Sequence, residues 1–189
     1  KVLASAVERD IVGRRAKSFE GVASGGTKIF MASMLCNANS PAQTSTYAIQ
    51  NAGATSADYS VTFYNTTGAV VGTTPTQTLT AGAKASVNPC SFSVPSGTSG
   101  SAVINATAPV IAIGKVAASD GTGTAFNGAT AGATTVIAPY IRWTAPTTDY
   151  FTNIAIMNVG DVAATNVQVK YYDGNGNLAA THNVATVGT

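Results

Sequence analysis

The sequence predicts an all-β protein made of tandem β-sandwich modules, the second of them incomplete. Three observations lead there: a composition dominated by small and β-branched residues, apolar residues that alternate over short stretches, and a long internal repeat. Charged residues make up only 10% of the 189 positions, against roughly 25% in an average soluble protein. Ala, Thr, Gly, Ser, Val and Asn take their place, a mixture that suits strands and tight turns and is poor in helix formers. The length accommodates one large domain or two of about 100 residues.

The repeat is the firmest of the three. A slide of 107 positions lays "KSFEGVASGGTKIF" (17 to 30) on "TAFNGATAGATTVI" (124 to 137). The same slide lays "TYAIQNAG" (46 to 53) on "NIAIMNVG" (153 to 160) without a gap. Phe19, Gly21, Gly25, Thr27, Ala38, Ala48, Ile49, Asn51 and Gly53 all meet identical residues. One inserted residue then brings "SVTFYNTTG" (60 to 68) onto "QVKYYDGNG" (168 to 176). Repeated units of this kind are repeated folding units.

Each copy reads as strands. "TYAIQ" and "TNIAIM" alternate, with Tyr47 and Ile49, or Ile154 and Ile156, on one face. "YSVTFYN" places Tyr59, Val61 and Phe63 together, and "NVQVKYYD" does so with Val167, Val169 and Tyr171. Between them stands Asn-x-Gly, a turn signal. "NTTG" and "DGNG" make a second turn before "AVVGTT" and "NLAATH". Downstream in the first copy, "KASVN", "GSAVINA" and "VIAIGKVAAS" supply further strands. About seven strands per ~107 residues, with regular turn signals, is what a two-sheet sandwich needs.

Asn-x-Gly, small residues, an alternating Val-x-Val, an aromatic pair and Asp-Gly-x-Gly together resemble the immunoglobulin-like repeat modules of bacterial and archaeal surface proteins, the cell-adhesion-related and S-layer-associated sandwich families. The matching residues are Asn158, Gly160, Val167, Val169, Tyr171, Tyr172, Asp173 and Gly176. In the first copy they are Asn51, Gly53, Val61, Phe63, Tyr64 and Gly68. The resemblance covers nearly the whole chain and implies an immunoglobulin-like architecture and an extracellular setting. It implies no reaction.

The phase of the repeat divides the chain into a closing strand segment (1–27), a complete module (28–134) and a partial module (135–189). "VLASAVERDIVGRRAKSFEGV" lies over residues 109 to 129, so the chain opens where a copy is about to finish. It begins on Lys1 with no basic-then-apolar leader, which leads us to expect a processed chain or a piece of a longer one. Counterparts of "AKASVNPCSFSVPSGTSGSAVINAT" are missing from the second copy. A sandwich without its closing strands exposes apolar surface and unpaired edges.

Three explanations are open: a segment of a longer tandem array, a strand donated between subunits, or closure of the chain on itself. In the second, Val2, Leu3, Ala4, Ser5, Ala6, Val7, Ile11 and Val12 form the inter-subunit strand. Such head-to-tail contacts make filaments. The Glu/Arg-rich run "AVERDIVGRRAK" could instead be a short helix, although its Val and Gly disfavour one.

The chemistry-bearing residues are few. His182, the single histidine, has no partner spaced for a metal cluster or a catalytic pair. Asp58, Asp120, Asp149, Asp161 and Asp173 sit in or beside turns. "DGNGN" (173 to 177) begins like a calcium loop but has Leu178 and Val184 where glycine and a bidentate Glu belong, so it reads as a hairpin turn. "GTGTAFNG" (121 to 128) lacks the lysine and spacing of a phosphate loop. Cys36 and Cys90 are expected to pair in an extracellular module, the alternative being two buried reduced thiols. Asn65 and Asn105 open N-glycosylation acceptor sequences, and the many Thr and Ser could carry O-linked sugar.

These features point to a non-enzymatic extracellular structural protein, a subunit or segment of a surface filament, sheath or layer assembled by strand exchange. The alternative is a cell-surface adhesion module that binds glycan or a partner protein through "NANSPAQTST" (37 to 46) and "TAPTTDYF" (144 to 151). Trp143, Tyr150 and Phe151 would form an aromatic platform there, or else pack within the sandwich. No catalytic residue, metal or cofactor is expected. A net charge of +2 argues against nucleic acid as a partner. No apolar run reaches the ~18 residues that span a bilayer.

Overall fold

Alternating apolar residues become antiparallel strands over most of residues 5–127 and again over 164–187. The computed structural model describes residues 4–10, 15–141 and 152–188. Its strands are β1 (Ser5–Asp10), β2 (Arg15–Glu20), β3 (Gly26–Cys36), β4 (Gln43–Asn51), β5 (Ala57–Asn65), β6 (Val70–Thr73), β7 (Gln77–Leu79), β8 (Lys84–Val87), β9 (Thr98–Ala118), β10 (Gly123–Asn127), β11 (Ala164–Tyr172) and β12 (Leu178–Val187). Every pairing among them is antiparallel. The run that could have been a helix, Ser5–Asp10, is a strand. Two units separate, Lys1–Thr130 and Ala131–Thr189.

The first unit is organised by β9, a strand of 21 residues. Its first half pairs with β3 on one edge and β5 on the other, while its second half pairs with β4 and β10. β8 extends the β4 side; β6 and β7 extend the β5 side. The core lies where the inward faces meet, and Tyr47 of β4 stacks on Phe63 of β5 with ring centroids 6.5 Å apart. Ile29, Met31, Met34, Ile49, Tyr59, Val61 and Ile104 fill the space around them. The residues that alternate toward this core are those that the period-2 pattern selects.

Close approach of strands requires glycine at Gly100, where an added Cβ would stand within 1.9 Å of the Tyr64 carbonyl oxygen. Gly114 is likewise covered by the Phe126 ring. A 3-10 turn at Pro89–Ser91, capped by the Asn88 side chain, presents Cys90 to Cys36. The two form a disulfide with Cα atoms 5.3 Å apart.

β1 and β2 form a hairpin of their own within the first unit, from Ser5↔Glu20 to Asp10↔Arg15. Gly21 N–H donates to the Ala4 carbonyl at 2.6 Å, Asn127 Nδ2 donates to the Glu20 carbonyl at 3.0 Å, and Glu8 forms an ion pair with Lys115. Within the expected closing segment (1–27), residues 5–10 and 15–20 thus form a hairpin while Gly26 and Thr27 already begin β3, and the segment falls in the same unit as residues 28–130.

In the second unit, β11 and β12 make the only ladder among the described residues. The expected strand "TNIAIM" does not form: residues 152–159 are extended but belong to no ladder. In the first unit the equivalent strand, β4, lies between β8 and β9. Among the described residues of the second unit, no strand is laddered to residues 153–157.

Candidate assembly surface

The Asn-x-Gly motif is built alike in both copies. Asn51 donates from Nδ2 to the Leu79 carbonyl at 2.9 Å and the Thr55 carbonyl at 2.7 Å, and its Oδ1 accepts from Gly53 N–H at 2.9 Å. Asn158 donates to the Val187 carbonyl at 3.4 Å and the Val162 carbonyl at 2.7 Å, and accepts from Gly160 N–H at 3.0 Å. Leu79 and Val187 are themselves equivalent once the inserted residue is counted. Asn166, inside the stretch that holds the insertion, takes φ 56. The second turn is shared too. Asn65 Oδ1 accepts from the backbone of Thr67 and Ala69, and Asp173 Oδ1 from Asn175 and Asn177.

The copies differ in what covers their apolar faces. Tyr47 and Ile49 are fully buried, but their equivalents Ile154 and Ile156 are 45% and 43% exposed. Ile29 is 2% exposed where it pairs with Ile104 of β9, and its equivalent Val136 is 82% exposed. Tyr59, Val61 and Phe63 are buried, while Val167, Val169 and Tyr171 are only half-buried. Among the described residues, the second unit therefore carries apolar side chains of core type that are left open. Surface of this kind marks an interaction site or an aggregation hazard, and fully covering one such aliphatic side chain is worth about 1.5–3 kcal/mol.

The hairpin β1–β2 corresponds to the second half of β9 with β10. Phe19 is equivalent to Phe126, and Ala6, opposite Phe19, stands where Gly114 lies beneath Phe126. β9 uses both edges there, one for β10 and one for β4. Among the described residues β1 has only β2. Of the expected inter-subunit strand, Ala4, Ser5, Ala6 and Val7 are described and exposed. Val2, Leu3, Ile11 and Val12 lie outside the described residues.

Elsewhere the polar residues are engaged locally. In the loop that begins at residue 37, Thr44 Oγ1 donates to Asn37 Oδ1 at 3.0 Å, Asn39 Nδ2 to Gln43 Oε1 at 2.8 Å, and Asn37 Nδ2 to Ser96 Oγ at 3.3 Å. Residues 144 to 151, with Trp143, Tyr150 and Phe151, fall outside the described residues. Asn65 is half-buried at its turn; Asn105 is exposed on β9, and Thr107 Oγ1 accepts from Asp58 N–H at 2.9 Å. His182 is exposed on β12 opposite Val169. Among the described residues no three His, Cys, Asp or Glu side chains are grouped to hold a metal ion, and no helix is long and apolar enough to cross a membrane. The phenol of Tyr47 is pushed above its usual range by burial, and the Asp173 carboxyl is held below its usual range first by the Asn177 side chain.

The sequence marked Ile154 and Ile156 as inward-facing residues of a strand. Their exposure follows from having no ladder partner among the described residues, which alternation alone does not reveal. The pairing of Glu8 with Lys115 had no local signal at all.

No family model and no curated protein matches the chain. Among solved structures, a Thermotoga maritima protein designated 1070 is similar at 14% identity and a TM-score of 0.47, over 56% of this chain and 94% of that one. The Anabaena sensory rhodopsin transducer is similar at 22% identity and a TM-score of 0.40, over 49% of this chain and 97% of that one. Likenesses this distant assign no activity, and what the chain offers chemically is backbone hydrogen bonding beside an open apolar face.

Proposed function

We propose that the chain belongs to a non-enzymatic extracellular structural protein, a subunit or segment of a surface filament, sheath or layer whose immunoglobulin-like β-sandwich modules are completed by strands from neighbouring modules. One observation carries this reading: the apolar residues that β9 shuts away in the first unit have open equivalents in the second. A strand laid across Val136, Ile154 and Ile156 would supply ladder hydrogen bonds and cover these side chains together. The near-absence of charge and the abundance of Thr, Ser and Asn suit a surface exposed outside cells.

Sedimentation velocity and electron microscopy test the reading. The 189-residue chain should form regular polymers whose extent rises with protein concentration. Ile154→Asp with Ile156→Asp should return it to single chains of 18.9 kDa, because a carboxylate cannot be buried there without a partner. Single chains at every concentration would overturn the reading. If those chains were also retained on immobilised glycan, the adhesion alternative would take its place.

A further inference from the structure

We infer that the strand completing the second unit comes from β1 of a second copy of this chain, with residues 4–7 paired antiparallel against residues 153–156. The inference rests on the module-completion reading above and names its donor. It follows from which backbone groups are spoken for in each hairpin.

Opposed residues in an antiparallel pair alternate between those that exchange both hydrogen bonds and those whose N–H and C=O point outward. The bond from Gly21 N–H to the Ala4 carbonyl makes Ala4↔Gly21 a bonded pair. Ala6↔Phe19 and Glu8↔Lys17 are then bonded too, and Ser5, Val7 and Arg9 direct their backbone groups away from β2. In the first unit, the bond from Gly128 N–H to the Ala112 carbonyl fixes the same phase for β9 and β10. Ile113, Lys115 and Ala117 therefore point away from β10, and they are the residues of β9 that meet β4. The bond from Ala52 N–H to the Pro109 carbonyl agrees, since it sets the odd-numbered residues of β9 against β4. Ser5, Val7 and Arg9 are thus in the position of Ile113, Lys115 and Ala117, with a free edge where β9 has β4.

That free edge has a matching vacancy in the second unit. Ala48 pairs with Ile113 and Thr46 with Lys115. The slide of 107 carries Ala48 and Thr46 to Ala155 and Asn153. The hairpin pairing, one position off that slide, carries Ile113 and Lys115 to Ser5 and Val7, so these pairs become Ala155 with Ser5 and Asn153 with Val7. The inward residues follow. Tyr47↔Gly114 and Ile49↔Ala112 become Ile154↔Ala6 and Ile156↔Ala4, small residues of the donor set beside large residues of the acceptor as in β4 and β9. Glu8 would take the place of Val116, which is 6% exposed, so the donated stretch is confined to residues 4–7 and Glu8 keeps its solvent-exposed ion pair with Lys115 at the rim. A donor and an acceptor on one chain, joined head to tail, extend without closing.

Proline tests the donor selectively. Ser5→Pro with Val7→Pro removes only N–H groups that point away from β2, so the β1–β2 ladder survives, as edge prolines allow. The 189-residue chain with these substitutions should sediment as single chains, as should the Ile154→Asp/Ile156→Asp chain. Mixed in equal amounts, the two should form dimers of about twice the single-chain mass and nothing larger, because one can only accept and the other only donate. Hydrogen exchange should show the amides of Asn153 and Ala155 slowed at least tenfold in the wild-type polymer and in the accepting partner of the dimer. Wild-type-like polymers from the proline chain would overturn β1 as donor while leaving module completion standing, provided that the Asp substitutions still abolish them. A mixture that stays monomeric overturns it as well. So does a monomeric wild type whose Asn153 and Ala155 amides are slowed only while Ser5 and Val7 are intact, which would mean that β1 folds back on its own chain.

Discussion

Asn51 shows how one side chain can hold three backbone segments at once. Its amide is buried and satisfies the Leu79 and Thr55 carbonyls and the Gly53 N–H. Truncation leaves those groups without partners in a place water does not reach, which typically costs about 1–3 kcal/mol. Asn51→Ala should lower the denaturation midpoint of the first unit accordingly, measured by urea titration of near-ultraviolet circular dichroism. Tyr47 sets an alkaline limit. Its hydroxyl donates to the Ser33 carbonyl at 2.8 Å, and burial raises its pKa above that of an unfolded tyrosine. The folded state therefore binds the proton more tightly. The associated stability is whole below about pH 10 and declines above it, by at most ~1.4 kcal/mol per pH unit for one group. Urea midpoints measured from pH 8 to 11 should be level and then fall, and Tyr47→Phe should flatten the fall. Asp173 behaves in the opposite sense: its depressed pKa gives support that is present at neutral pH and fades as pH drops through the acidic range.

At the scale of elements, most strands were legible because half-buried strands alternate. Tyr47 with Ile49, and Tyr59 with Val61 and Phe63, pointed inward as that period requires. The break between β6 and β7 also has a local cause in Pro75, which lacks an N–H for the ladder. Thr74 bridges it, its Oγ1 accepting from Val61 N–H at 2.9 Å. The second copy has Asn183 at the equivalent place, and β12 runs on from Leu178 to Val187. "TNIAIM" has the same alternation as β4 but forms no strand, since alternation gives a strand its faces and cannot provide its neighbours. The disulfide ties the end of β3 to the turn before β9. Closing a loop of that length removes unfolded-state entropy worth about 4 kcal/mol. Cys36→Ser with Cys90→Ser should lose most of that stability, read as a lower midpoint in thermal unfolding followed by circular dichroism.

For the whole molecule, the two units share an Asn latch and turns but differ in how far their described apolar residues are buried. The first has a long central strand and a sealed core; the second has the turns, the Asn latch and a hairpin, but an uncovered apolar face. Binding that face only in the native state would stabilise it by mass action, so the second unit of a strand-exchanged polymer should resist unfolding more as concentration rises, in the same experiments that follow assembly. By itself the sequence determined the strand class, the turns and the repeat, because these depend on period and on residues with special backbone preferences. Tertiary structure alone decided which strands find partners. A ladder joins residues far apart in the chain, so Ile49 is buried and Ile156 is exposed although both stand in nearly the same words.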